Sequence, residues 1–196
     1  WVDLALTHTV GMRGILLLVY VSGIMFVARH FAGTLAHKLS PVGLLWFSAL
    51  LTSIGLYMLS VADSPVTGII AATVWGAGVC FMWPTMLASA AERYPRGGAW
   101  AIGLIGSAGA MSTYIVLPLL GAAYDNAKLE AAGGADAFAA MAEGSAEHTG
   151  TLVYAAEQSF QTVALLPIVL LFVFGGVWYN DRKQAKLKAE GASPSE

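Results

Sequence analysis

The chain has 196 residues, 57% of them hydrophobic and 11% charged, whereas a soluble domain carries about 25% charged residues. That balance excludes an ordinary water-soluble globule, and the net charge of −2 gives no reason to expect a nucleic-acid partner. The lone Cys80 excludes an internal disulfide, and its apolar neighbours predict a packed thiol rather than a reactive one.

Charge is confined to short stretches between apolar runs of about 20 residues, the length that crosses roughly 30 Å of hydrocarbon. The runs are continuous rather than alternating, so they predict helices and not barrel strands. The expected fold is an all-α membrane protein with five transmembrane helices, at 12–36, 41–62, 65–91, 98–123 and 160–179. Residues 1–11, "WVDLALTHTVG", read as a loop-like extracytoplasmic segment, and 12–180 as one bundle.

In the first span, Ser22, Arg29 and Gly33 share one helical face, and Arg29 stands on the order of 13 Å before Lys38 along the axis. An arginine at the bilayer centre costs about 2.5 to 3.5 kcal/mol, and less toward the interface. Arg29 therefore either reaches the headgroups or pairs with a carboxylate, and Glu92 at the end of the third span is the obvious partner. The second and third spans have marked starts. Ser40-Pro41 and Ser64-Pro65 each supply an N-cap hydroxyl followed by a proline where no N–H is needed.

The third span contains "GVCFMWPTMLA", residues 78–88. Pro84 lacks a backbone N–H, so the Cys80 carbonyl loses its helical partner near midspan. Non-ideal backbone survives at that depth only against protein or a water-filled cavity. Trp83 sits deep in the span, although lipid-facing tryptophans gather at the interfaces. Two readings stand: a kink that improves packing, or a kink that places Trp83 in a central solute cavity, with Ser107, Tyr114 and Gln161 as polar contacts from other helices. In the fourth span, "GLIGSAG" (Gly103, Gly106, Gly109) follows no strand, so its glycines predict close helix approach rather than phosphate binding.

Residues 124–158 are acidic and rich in Ala and Gly, with Lys128 the one basic residue. A solvated loop is expected there, with a short amphipathic helix over 136–143 as the alternative. Lys38, Arg93, Arg96 and the tail residues Arg182, Lys183, Lys186 and Lys188 fall on the opposite side, which the positive-inside bias makes cytoplasmic. The tail, 181–196, is expected to be disordered. An odd number of spans and a cytoplasmic C-terminus put the N-terminus outside, so further helices are expected upstream. His8, His30, His37 and His148 are scattered, and no acid, base, metal or nucleotide motif converges, so neither an enzyme nor a cofactor is expected.

"ARHFAGTLAHKLSPVG", followed by "MWPTMLASAAERYPRGGAWAIGLIGSAGA" and "LPLLGAAYD", resembles the C-terminal half of a major facilitator superfamily transporter, from its eighth to its twelfth helix. The Trp-Pro and Glu-Arg-x-Pro patterns are most similar to sugar- and small-metabolite-type members. The superfamily's cytoplasmic-loop motif, G-x-x-x-D-[RK]-x-G-[RK]-[RK], is matched at Gly33 and Lys38 and departs at His37, Ser40, Pro41 and Val42. The resemblance implies an incomplete six-helix bundle, an inner-membrane location, and a missing N-terminal half of the same chain as partner. It implies gating by Arg29, Glu92, Pro84 and Gly33, and alternating access about a midplane site.

The expected function is thus part of a secondary active transporter for a small polar solute, coupled to protons. The spans hold no deep carboxylate, so the proton carrier lies in the absent half or the protein is a uniporter. The rival is a structural membrane subunit that transports nothing. Such a scaffold has little need for Pro84, Pro118 and Pro167 together with midspan polar residues.

Overall fold

The structure, a computed structural model, describes residues 7, 10 and 13–191. What was expected of the remaining residues of 1–11 and of 192–196 lies outside the described residues. Every regular element among them is a helix: α1 Gly14–Arg29, α2 Ala32–Leu39, α3 Pro41–Ser60, α4 Pro65–Arg93, α5 Gly98–Ala132, α6 Ala135–Ala140 and α7 Ala146–Gly191. Four of them, α3, α4, α5 and α7, are long and apolar enough to cross a membrane, and α1 is a shorter apolar helix of 16 residues.

The helix starts follow from local chemistry. Ser40 caps α3 by accepting a hydrogen bond from the Gly43 N–H at 3.3 Å, with Pro41 at the first position. Ser64 and Thr67 form a reciprocal capping box at the start of α4: the Ser64 hydroxyl accepts from the Thr67 N–H, and the Ser64 N–H donates to the Thr67 hydroxyl. At the other end of the chain's hairpin, α5 stops at the left-handed Gly133, whose N–H and that of Gly134 return to the Glu130 and Leu129 carbonyls.

α3 is the centre of the bundle, packed on α4 and α7, while α1 rests on α4 and α5 on α7. Lipid tails are as apolar as leucine, so burial alone does not join such helices; close backbone approach does. Gly55 and Gly78 supply it. A Cβ on Gly78 would fall 2.5 Å from the Thr52 backbone nitrogen, and one on Gly55 would clash with the backbone of Trp75. Around this seam Leu17, Val21, Leu56, Leu59, Ala71, Ala72 and Phe160 form the main core. A smaller cluster holds Leu44, Cys80 and Phe81, and Cys80 is a fully buried free thiol.

Three expectations change. The first span is not continuous over 12–36: α1 ends at Arg29, where the His30 and Phe31 N–H groups bond three residues back, to the Val27 and Ala28 carbonyls. That tightening ends the helix, and α2 begins at Ala32. The 124–158 segment is not a solvated loop. It completes α5, forms the six-residue α6 and opens α7, because alanine is the strongest helix former and the glycines punctuate the run rather than loosen it. Tyr124 is buried there, and Phe138 stacks on His148 with centroids 5.2 Å apart. Finally, the tail is helical as far as Gly191.

Candidate functional site

Trp83 and Ser107 stand at one depth, since each lies about 15 Å from the basic end of its helix. Trp83 reaches across from α4 and lays its ring edge on Gly109 of α5, where a Cβ would come within 2.7 Å of Cη2. The glycine run thus receives the indole, and 43% of the tryptophan remains exposed. Pro84 follows within a helix that continues unbroken to Arg93.

Gly103, Ser107, Ala110 and Tyr114 recur on another side of α5, at the spacing that keeps them on one face. All four are exposed, Tyr114 at 83%. None of the residues in the apolar window of α5 is buried. The Trp83 contact and the Ser107/Tyr114 face are therefore different sides of one helix. Gln161 is elsewhere again, on α7, in a groove of about 540 Å³ shared with Ser53 and Tyr57 of α3. The four nominated residues are thus split among three places: the Trp83–Gly109 contact, the Ser107/Tyr114 face and the Gln161 groove.

At the basic end, Arg29 is exposed at the close of α1, and Gly33 is exposed with open space where a side chain would be. Arg29 and Glu92 form no ion pair. The ion pairs among the described residues are Arg93 with Asp181, and Lys128 with Asp125. Arg93 thus ties the end of α4 to α7, one residue along from the carboxylate expected to act. Beside it Trp178 of α7 stacks on Trp46 of α3, centroids 5.9 Å apart, and the Arg182 guanidinium lies over Trp178 at 4.2 Å. Gly43 and Gly175 make room for the two indoles, each within 3.2 Å of where its Cβ would be.

Sequence reading missed Asp181, Trp46 and Trp178 because they meet only through the packing of α3 on α7. The tryptophans' glycine seats were visible as residues but carried no pairing signal. Comparison of the chain with protein-family models, curated proteins and solved structures finds no match in any of the three.

Proposed function

We propose that the chain is the C-terminal portion of a major facilitator-type secondary transporter that moves a small polar solute by alternating access. One observation carries the reading: a helix apolar enough to span a membrane leaves Ser107 and Tyr114 bare on one face, near midspan. Hydroxyls facing hydrocarbon lack partners, so such a face is expected to meet water, solute or further helices. Trp83 holds α5 from another side, so it positions this face rather than lining it. Gln161 lies outside this set. Proton coupling belongs to the same proposal, with the titrating carboxylate on helices beyond these spans and uniport as the alternative; the basic end is the cytoplasmic one. A scaffold subunit remains the rival, and it would cover the α5 face with a permanent partner.

Cysteine accessibility separates these readings. In a Cys80→Ala background in native membranes, Ser107→Cys and Tyr114→Cys should react with a small hydrophilic thiol reagent, at a rate that changes when transport is driven. Two positions that stay inert under every condition would put the face against lipid or a fixed partner, and the transport reading would fail.

A further inference from the structure

At the basic end, α2, α3, α4 and α7 line an open cavity of about 460 Å³. Lys38, Arg93 and Arg182 line it, together with the carboxylates of Glu92 and Asp181. Arg93 is already bonded to Asp181. Of the remaining charges, Lys38 and Arg182 have no ion-pair partner among the described residues and face the single carboxylate of Glu92. The cavity thus carries one net positive charge.

Two further features bear on what it holds. The Ser89 hydroxyl lies on the same wall, shielded from solvent and without a hydrogen-bond partner among the described residues. A buried hydroxyl left unsatisfied is uncommon and costly, and a ligand oxygen would relieve it. The Arg182 guanidinium carbon lies 4.2 Å from the centre of the Trp178 ring, which is itself stacked on Trp46. A guanidinium over an aromatic ring makes no hydrogen bond to it, so its N–H fork is left for acceptors such as phosphate oxygens.

We propose that this cavity binds a phosphate group, as a singly charged phosphodiester held between Lys38 and Arg182 and accepting the Ser89 hydroxyl. The residues sit at the ends of the apolar helices, level with membrane headgroups, so the phosphate belongs to a phospholipid or to a small phosphate compound in solution. Glu92 at the rim limits the site to one negative charge, because a dianion would meet its carboxylate uncompensated. The site does not depend on whether the protein transports.

The test is calorimetric titration of the purified protein in a maltoside detergent with three probes: dioctanoyl phosphatidylglycerol, dioctanoylglycerol and inorganic phosphate. The phospholipid should bind, and dioctanoylglycerol, with the same tails and no phosphate, should not. Lys38→Gln and Arg182→Gln should each weaken phospholipid binding about tenfold, and Ser89→Ala a few-fold. Arg182→Lys should lie between Arg182→Gln and the parent. In a mildly acidic buffer, where inorganic phosphate is mainly the monoanion, competition by it assigns the site to the free anion, and its absence assigns it to the lipid headgroup. Lys38→Gln lies on an exposed side chain and tests charge even if Arg182→Gln disturbs the tryptophan stack. Equal binding of dioctanoylglycerol, or unchanged affinity in Lys38→Gln, overturns the proposal.

Discussion

Trp83 rests on Gly109 so closely that a methyl group at residue 109 would come within 2.7 Å of the indole. Gly109→Ala should therefore push α4 and α5 apart, at a cost of about 1 to 3 kcal/mol, the usual range for overpacking. Combining it with Trp83→Phe should recover much of the loss, since the smaller ring clears the added methyl. Thermal unfolding in detergent checks both. A Gly109→Ala protein that melts like its parent would mean the indole swings away freely.

Arg93 and Asp181 join the end of α4 to α7, each side chain 44% exposed. Exposed pairs are worth about 0.2 to 1 kcal/mol, so a double-mutant cycle should give a coupling within that range and shrinking with salt. The exchanged pair, Arg93→Asp with Asp181→Arg, should retain part of it. The same cycle on Arg29 and Glu92 should give none in this conformation. A coupling there larger than that of Arg93 and Asp181 would show that the dominant state is one in which the pair expected from sequence has closed.

Ser40 caps α3 while holding φ at +64° and ψ at 154°, backbone angles that suit glycine. Such strain costs on the order of 1 to 3 kcal/mol. A glycine at an N-cap is only a few tenths of a kcal/mol worse than serine, whereas alanine loses about 0.5 to 2 kcal/mol. Ser40→Gly should therefore melt at or above the parent temperature and Ser40→Ala below it. A Ser40→Gly protein that melts below its parent would mean that the hydroxyl matters more than the strain.

The orientation can be read with a membrane-impermeant maleimide in intact cells, again without Cys80. Asp136→Cys in the cap at the far end should label, and Arg96→Cys at the basic end should not. Labelling of residue 96 alone would invert the topology.

The apolar runs were long enough to announce their helices, and Ser40-Pro41 and Ser64-Pro65 marked two starts that the structure keeps. Of the helical segment 124–158 only the short helix Ala135–Ala140 was legible, as the alternative over 136–143, because alanine and glycine together look like a flexible linker. What separates them is position: Gly133 and Gly134 fall where a helix must stop, and Ala127, Ala131 and Ala132 fall within it. The site was legible as residue types but not as neighbours. That Trp83 meets Gly109, and that Asp181 rather than Glu92 takes an arginine, depends on how helices distant in the chain rotate against one another.

α7 runs from the cap at the far end to the tail at the basic end with one interruption, the buried Pro167, which leaves the Val163 carbonyl without its helical partner. From Ala146 to Pro167 is about 32 Å of helix and from Pro167 to Gly191 about 36 Å. The helix is thus a lever whose fulcrum lies near its middle, with arms of almost equal length. A bend of about 10° at that proline displaces one arm's tip by roughly 6 Å relative to a straight helix. Because Asp181 lies about 21 Å from that proline on one arm and His148 about 28 Å on the other, a tug on the cap at His148 would reach the Arg93 tie at roughly three quarters of its amplitude.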